Sequence, residues 1–281
     1  MKMTNDIKAI GLIGNPVEHS ISPFIHNTLY KVLDMNYIYM AFDIETNQLE
    51  KAVEGMVALS FTGFNVTIPY KQRILDFLDD VDEEARIIGA VNTVTNHNGI
   101  LKGYNTDGIG FIEGLKRLGF NPLDRDVAVI GAGGASRAIC AYLLKEGVKH
   151  IFLMNRTHQR SLRLSEEFNC QYKLDTIVPI DRKDLEDIDL DLIVNTTPVG
   201  MWPHIDENPL EGFTFQDHTI VVDIIYNPRE TALLREARRQ DCMVQNGIDM
   251  LIGQALASIE LWTGKDIPYN YCLEIIKENI K

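Results

Sequence analysis

A glycine-rich loop stands between a short apolar segment and a stretch with helical spacing. The loop Gly131–Arg137 reads GAGGASR and follows the β-branched residues at 126–130. A strand, a glycine turn and a helix in this order form a phosphate cradle, because glycines let the backbone approach a pyrophosphate and the helix N-terminus offers free N–H groups. Ser136 stands where a third glycine is usual. We predict a dinucleotide site at Gly131, Ala132, Gly133, Gly134 and Ala135.

The end of the next predicted strand distinguishes the two nicotinamide dinucleotides. A NAD site usually places a carboxylate there, which accepts hydrogen bonds from the ribose 2′-OH. Residues 153–160 carry no carboxylate and contain two arginines four positions apart. A guanidinium pairs bidentately with phosphate, so these arginines suit a ribose 2′-phosphate. We therefore predict NADP as the cofactor, held by Asn155, Arg156, Thr157 and Arg160.

Polar residues cluster at the ends of predicted strands in the first part of the chain. The clusters lie at 14–23, 65–71, 90–93 and 105–108. Open α/β sheets bind their ligands at strand ends. From the residues alone, the clusters form a neutral polar pocket with one lysine, Lys71, and one aspartate, Asp107. Such a pocket suits a small polyhydroxylated ligand.

The composition excludes several other classes of protein. The 281 residues carry a formal net charge of −13, whereas a nucleic-acid-binding surface is basic. The four cysteines form no CxxC pair, so we predict neither a disulfide nor a metal site. Nothing at the N-terminus resembles a signal peptide, and no apolar run approaches the ~18 residues of a membrane span. We expect a cytoplasmic monomer or homodimer that binds a small-molecule substrate but neither nucleic acid nor membrane.

Strands alternate with helices along the chain, which predicts an α/β protein with mostly parallel sheets. Asn98-Gly99 predicts a hairpin that adds an antiparallel strand. The acidic run Asp76–Glu84 is expected to be the solvated face of a helix. Roughly 120 residues precede the strand that leads into the glycine loop, enough for a separate domain, and helices after the last Rossmann strand often return to the first domain. We predict a substrate-binding catalytic domain of residues 1–108 plus 247–281, with a Rossmann dinucleotide-binding domain inserted at 109–246.

Six motifs occur in order along the chain. They are HSxSP, NVTxPxK, GAVNT, GYNTDG, GAGGAxR and NRTxxR. Together they resemble the shikimate dehydrogenase family, and the likeness extends from Gly14 to about Thr263. The resemblance implies an NADP-dependent interconversion of 3-dehydroshikimate and shikimate, a step of aromatic amino-acid (chorismate) biosynthesis.

The resemblance also assigns roles in the substrate pocket. Lys71 would be the acid/base, paired with Asp107. This pairing makes chemical sense, because an ammonium stabilises the charge that a ketone oxygen gains as hydride arrives, and a carboxylate neighbour favours the charged lysine. The substrate carboxylate would be bound by Ser20, Ser22 and Tyr226. The ring hydroxyls would be bound by Thr67, Asn92, Asp107 and Gln254, with Asn65 in the same substrate motif.

Further positions would border the nicotinamide ring of the cofactor. The segment 195–201 ends a predicted Rossmann strand, and DIIYNP at 223–228 ends the next one. The helix that starts near residue 247 would close over the same ring. The residues expected there are Thr196, Ile224, Gly247, Met250 and Leu251.

Three alternatives stay open. A quinate/shikimate dehydrogenase of the same family could use NAD or NADP and accept a broader range of substrates. A glutamyl-tRNA reductase also carries an inserted Rossmann domain, but its chemistry needs a thiol in the first domain, and the earliest cysteine here is Cys140. A non-catalytic metabolite sensor could keep the pocket. Loss of Lys71 or Asp107 would indicate such a sensor, and both are present.

Overall fold

The computed structural model describes residues 7–279, which divide into two compact units. The first unit contains the described residues up to Gly110 together with those from Ile252 onward. The second unit is Phe111–Leu251. Within residues 7–279 we find no helix with the length and apolar character that crossing a membrane would require.

Twelve strands and nine α-helices form the described part of the chain. The strands are β1 Lys8–Gly14, β2 Tyr37–Asp43, β3 Gly63–Val66, β4 Asp80–Val81, β5 Thr93–His97, β6 Ile100–Tyr104, β7 Asp126–Ile130, β8 His150–Met154, β9 Ile177–Ile180, β10 Leu192–Asn195, β11 Ile220–Asp223 and β12 Met243–Gln245. The helices are α1 Ser22–Val32, α2 Leu49–Ala58, α3 Glu83–Ile88, α4 Asp107–Arg117, α5 Gly134–Lys145, α6 His158–Tyr172, α7 Ala232–Arg239, α8 Ile248–Thr263 and α9 Tyr269–Asn279.

The sheet of the first unit is mixed, with strand order β2-β1-β3-β5-β6-β4. Strand β1 pairs in parallel with β2 and β3, whereas β5 is antiparallel to both of its neighbours. The predicted hairpin is therefore confirmed as β5–β6. Because β5 runs the opposite way, its first residue lies at the edge where β1, β3 and β6 end. All four polar clusters of the sequence consequently meet at one edge of the sheet.

The run Asp76–Glu84 is largely solvated as predicted, with four of its six carboxylates exposed, but the prediction that it forms one helix is wrong. A short 3-10 helix ends at Phe77, and β4 and the start of α3 follow. Carboxylates of this run accept hydrogen bonds from backbone N–H groups. Asp79 Oδ2 accepts from Leu101 N at 2.7 Å, and Asp82 caps α3 by accepting from Glu84 N at 3.1 Å.

The sheet of the second unit is wholly parallel, with strand order β12-β11-β10-β7-β8-β9. This is the doubly wound order in which the winding reverses between β7 and β10. Apolar residues of β7, β10 and β11 are buried because helices follow the strands; the cluster includes Ala128, Ile130, Ile193 and Val221. Doubly wound sheets bind ligands beyond the carboxyl ends of the strands at this switch point. The glycine loop follows β7 and therefore lies there.

Candidate active site and cofactor site

An ion pair between Lys71 and Asp107 lies at the edge of the first sheet. Lys71 Nζ is 2.5 Å from Asp107 Oδ2, and the two side chains are 16% and 6% exposed. Lys71 follows the turn after β3, and its carbonyl accepts from Val91 N at 2.7 Å. Asp107 begins α4, where a carboxylate is favoured by the helix dipole. The pair is thus held by backbone structure on both sides and stays partly open to solvent on the lysine side.

Asn92 connects this pair with the residues around it. Its Nδ2 donates to Asp107 Oδ1 at 2.8 Å and lies 3.4 Å from Gln254 Oε1 on α8. Its Oδ1 accepts from Thr106 N at 2.8 Å. Both Asn92 and Gln254 are buried, with 2% and 8% exposure. The geometry therefore brings Lys71, Asp107, Asn92 and Gln254 together.

The remaining residues predicted to bind substrate differ in what they contact. Ser22 begins α1 and donates its backbone N–H to Ser20 Oγ at 3.3 Å, so the two serines form one compact turn. The Thr67 methyl group packs against the Gly14 backbone, where a Cβ would overlap it. Tyr226 lies in the second unit, after β11.

Asn65 is used internally. Its Oδ1 accepts from the Tyr39 hydroxyl at 2.7 Å, and its Nδ2 donates to the Asn92 carbonyl at 3.0 Å. The Oγ atoms of Thr93 and Ser258 lie 3.0 and 3.2 Å from the same nitrogen. Every polar atom of this side chain therefore has a protein partner. Thr93 belongs to the 90–93 cluster but was given no role from the sequence. Ser258 was missed, because a buried serine hydroxyl has no spacing signature.

Two glycines of the loop in the second unit have different surroundings. Gly131 has φ +114°, and a Cβ there would overlap the Thr196 hydroxyl, so glycine is required for packing. A Cβ on Gly133 would instead meet no atom of the described residues within 4 Å. Helix α5 begins at Gly134, and among the described residues no side chain caps it. Its first N–H groups therefore face open space beside Gly133, which fits an approaching pyrophosphate.

The contacts of Ser136 explain why a serine stands where a third glycine is usual. It is fully buried, and its hydroxyl donates to the Gly131 carbonyl at 2.7 Å. The serine therefore ties the first turn of α5 to the loop. On the other side of the loop, Thr196 Oγ1 donates to the Ile130 carbonyl at 2.7 Å. The β7 and β10 loops are thus fixed against each other at the switch point.

The segment after β8 carries the predicted ribose contacts. Arg156 and Arg160 are exposed, one before α6 and one in its first turn. Asn155 Nδ2 donates to the Thr157 carbonyl at 2.9 Å, which fixes the turn between them. Both guanidinium groups are exposed beside this hydrogen-bonded turn, where a phosphate can reach them.

A buried carboxylate that the sequence did not single out joins the loops after β10 and β11. Asp223 accepts from Thr231 Oγ1 at 2.7 Å, from Asn195 Nδ2 at 3.1 Å and from Ile225 N at 3.1 Å. Its side chain is fully buried, and this burial raises the pKa of Asp223 to about 6 despite the three donors. In addition, Ile224 N donates to the Asn195 carbonyl at 3.1 Å. The loop that holds Ile224 is therefore fixed to the loop that holds Thr196.

Gly247 lies against the same loop. Its N–H donates to the Ile225 carbonyl at 3.0 Å, and an added Cβ would overlap the Ile224 carbonyl group. Gly247 also accepts from Leu251 N at 2.9 Å in the first turn of α8. Met250 and Leu251 are half-buried at the start of that helix. The predicted nicotinamide contacts of this unit therefore gather near the carboxyl ends of β10 and β11.

Comparison with known proteins agrees with this architecture. Three family models match: the shikimate dehydrogenase substrate binding domain over 12–94, shikimate / quinate 5-dehydrogenase over 115–234, and the shikimate 5′-dehydrogenase C-terminal domain over 247–277. The shikimate dehydrogenase (NADP+) of Caldanaerobacter subterraneus subsp. tengcongensis is 43% identical over 281 residues, which covers 99% of each chain.

Two solved structures extend the likeness to the fold. A shikimate dehydrogenase in complex with NADP+ is 37% identical with a TM-score of 0.91, covering 99% of this chain and 98% of that one. The enzyme from Thermus thermophilus, in complex with NADP(H) and shikimate, is 36% identical with a TM-score of 0.87, covering 98% and 100%. With its motifs, both sheets and the full length in agreement, the chain belongs to the shikimate dehydrogenase family.

Proposed function

We propose that this chain catalyses the reversible NADPH-dependent reduction of 3-dehydroshikimate to shikimate, a step of aromatic amino-acid (chorismate) biosynthesis. The observation that carries the proposal is the ion pair of Lys71 and Asp107 at the sheet edge where the polar clusters meet. The relatives support the ligands, since they are described as NADP+ enzymes and as complexes with NADP(H) and shikimate.

Bound NADPH supplies the hydride that reduces the ketone carbon. Lys71 then has two tasks at the ketone oxygen. Its ammonium stabilises the negative charge that develops there, and Nζ gives that oxygen a proton to complete the alcohol. Asp107 orients the lysine through the 2.5 Å contact. In the reverse direction, the neutral amine accepts the proton from the alcohol.

We assign substrate binding to the first unit and cofactor binding to the second, in keeping with a substrate domain of 1–108 plus 247–281 and a Rossmann domain of 109–246. The carboxylate of the substrate would accept hydrogen bonds from Ser20 and Ser22, together with Tyr226. The ring hydroxyls would be held by Thr67, Asn92, Asp107 and Gln254. For Asn65, which has protein partners at both polar atoms, we propose a supporting role in place of direct contact.

NADP would occupy the switch point of the second sheet. Glycine loop residues 131–135 would cradle the pyrophosphate at the start of α5, and Asn155, Arg156, Thr157 and Arg160 would surround the 2′-phosphate. The chemistry of the donors fits, because two exposed guanidinium groups attract a doubly charged phosphate. Residues proposed to border the nicotinamide are Thr196, Ile224, Gly247, Met250 and Leu251.

The test is Lys71→Ala with a matched lysine. Lys102 also forms an ion pair, with Asp80 at 2.9 Å, but these two side chains are 37% and 49% exposed. We expect Lys71→Ala to lower kcat by ~10²–10⁴-fold, while Lys102→Ala leaves it within about twofold of the wild type, as expected for a solvated pair. Initial rates with shikimate and NADP at saturation measure both. A Lys71→Ala enzyme with most of the wild-type kcat would refute the assignment.

Quinate is a second candidate substrate, because the family model over 115–234 is described as shikimate / quinate 5-dehydrogenase. Steady-state assays of both acids with both cofactors separate the alternatives. We expect shikimate with NADP to give the highest kcat/KM. Comparable values for quinate and NAD would assign the dual-specificity enzyme instead, and no turnover in any combination would favour a metabolite sensor. A cytoplasmic location and a monomeric or homodimeric state stay predictions; analytical ultracentrifugation tests the second.

A further inference from the structure

A buried chain of hydrogen bonds leads from the edge strand β2 to the carboxylate of Asp107. The Tyr39 hydroxyl donates to Asn65 Oδ1 at 2.7 Å, and Asn65 Nδ2 donates to Thr93 Oγ1 at 3.0 Å. Thr93 Oγ1 donates to Asn92 Oδ1 at 3.0 Å, and Asn92 Nδ2 donates to Asp107 Oδ1 at 2.8 Å. All five residues are buried. The chain therefore runs through the interior of the first unit by direct contacts between side chains.

Backbone groups fix the direction of this chain. The Thr106 N–H can only donate, and it donates to Asn92 Oδ1 at 2.8 Å, so the amide nitrogen of that side chain faces Asp107. The Asn92 carbonyl can only accept, and it faces Asn65 Nδ2 at 3.0 Å. Asn65 Oδ1 is therefore the atom that faces Tyr39, which must donate. Burial raises the pKa of Tyr39 well above its ordinary value, so the phenol keeps its proton.

Thr93 completes the direction of the chain. Its neighbour Ser258 on α8 lies at 2.9 Å, Oγ to Oγ, but Ser258 donates its own proton to the Gln254 carbonyl at 2.8 Å. The Thr93 hydroxyl accepts a hydrogen bond from Asn65 Nδ2, and its own proton has two acceptors within reach, Asn92 Oδ1 at 3.0 Å and Ser258 Oγ at 2.9 Å. With that proton on the side of Asn92, every link donates toward the carboxylate. Aligned hydrogen bonds polarise one another, by an estimated ~10–30% per bond.

We propose that Tyr39, Asn65 and Thr93 are positioning residues that act on the reaction through the carboxylate at the end of this chain. They hold one oxygen of Asp107 with a polarised donor and leave the other oxygen to Lys71. The hydrogen-bond chain fixes the position of the carboxylate, which in turn orients the lysine. This inference rests on the proposed function, in which that lysine is the acid/base.

Substitutions on β5 test the chain with a matched control. Thr93→Val removes the hydroxyl that links the two amides, and Thr93→Ser restores it. Thr95 lies two positions along the same strand at 1% exposure, with its hydroxyl 3.5 Å from the Lys102 carbonyl and outside the chain. We expect Thr93→Val to lower kcat about 3- to 10-fold, with both Michaelis constants within twofold of the wild type. Thr93→Ser and Thr95→Val should keep the wild-type kcat.

A second pair of variants tests the hydrogen-bond chain by NMR and needs no enzyme assay. Tyr39→Phe removes the first donor, whereas Tyr30→Phe removes an equally buried hydroxyl that lies 3.4 Å from His26 Nδ1. We expect the NMR signals of the Asn92 side-chain amide to move in Tyr39→Phe and to stay in Tyr30→Phe.

Each outcome of these two tests decides a question. The inference is overturned if Thr93→Val and Thr95→Val lose kcat equally. It is also overturned if the Asn92 side-chain amide signal does not move in Tyr39→Phe. If the wild-type protein shows no turnover, the proposed function is refuted. The Asn92 amide signal still tests the hydrogen-bond chain in that case. If Thr93→Val fails to fold, Tyr39→Phe carries both readouts, because it removes a single oxygen from the far end of the chain.

Discussion

Replacement of Asp223 by asparagine should change how the stability of the second unit depends on pH. The carboxylate is fully buried between the loops after β10 and β11. Burial raises the pKa of Asp223 to about 6 in the folded state, from 3.8 for an ordinary aspartate. The folded protein therefore binds the proton more tightly than the unfolded chain. The resulting stability is fully present below pH 3.8 and is lost as the pH rises through about 6.

The magnitude follows from the two pKa values. Between 3.8 and about 6, at ~1.4 kcal/mol for each pH unit, the protonated form contributes about 3 kcal/mol that disappears by pH 7. Asparagine does not titrate and keeps the shape and an acceptor oxygen. We therefore expect the free energy of unfolding of Asp223→Asn, relative to the wild type, to rise by about 3 kcal/mol between pH 4 and pH 7.

Urea unfolding of both proteins at several pH values measures this difference, and other titrating groups cancel because they are common to both. Since two units need not unfold together, hydrogen exchange of peptides spanning 220–231 localises the effect. Asp217→Asn serves as the control, because that side chain is 96% exposed and its replacement should leave the pH dependence unchanged. A stability difference between wild type and Asp223→Asn that stays constant from pH 4 to pH 7 would refute the reasoning.

Three further changes test the assigned sites. Arg156→Asp should shift the kcat/KM preference from NADP towards NAD, because the carboxylate repels a 2′-phosphate and accepts from a free 2′-OH; also removing Arg160 should deepen the shift. Ser20→Ala with Ser22→Ala should raise the KM for shikimate far more than that for NADP, since hydrogen bonds to a carboxylate contribute roughly 1.5–3 kcal/mol each. Gly247→Ala should lower the melting temperature and weaken NADP binding, because the added Cβ overlaps a backbone carbonyl.

Controls sharpen these three measurements. Cofactor preference is compared at fixed ionic strength, because exposed charges are screened by salt; an unchanged preference in the double arginine variant would place the phosphate elsewhere. Equal increases in both Michaelis constants would remove the serines from the carboxylate site. Gly55→Ala, in α2 with no atom within 4 Å of the new Cβ, should stabilise the protein slightly. If Gly247→Ala behaves like Gly55→Ala, the close approach to the β11 loop has no consequence.

The parts of the fold predicted from sequence are those whose signals are local. The glycine loop, the Asn98-Gly99 hairpin and the parallel Rossmann strands follow from turn chemistry and apolar runs. The single helix expected over the acidic run at 76–84 is absent, because charge density indicates solvent exposure and does not show where a helix begins or ends. Asp82 caps a helix there, a role that aspartate favours but that also requires a helix to begin at the next residue.

The site divides in the same way. Lys71 and Asp107 stand in recognisable motifs, and the structure pairs them. Asn65 stands in one of these motifs as well, yet its side-chain amide forms hydrogen bonds within the protein. A motif identifies a residue type, but it does not show whether that residue contacts the ligand or supports a residue that does. Ser258 gave no signal, since a serine within a helix is common and its partner Thr93 lies 165 residues earlier in the chain.

That separation sets an order for folding during synthesis. Thr93 leaves the ribosome 165 residues before Ser258, which at ~5–20 residues per second corresponds to roughly 10–30 s. The indole of Trp262, which donates to the Val94 carbonyl at 2.9 Å, arrives later still. Residues 111–251 form their own unit and have all their sheet partners by then. The nascent chain can therefore complete the dinucleotide-binding unit first. The buried hydrogen bonds around Lys71 and Asp107 are complete only after the last helices, with Ser258 and Trp262, have been synthesised.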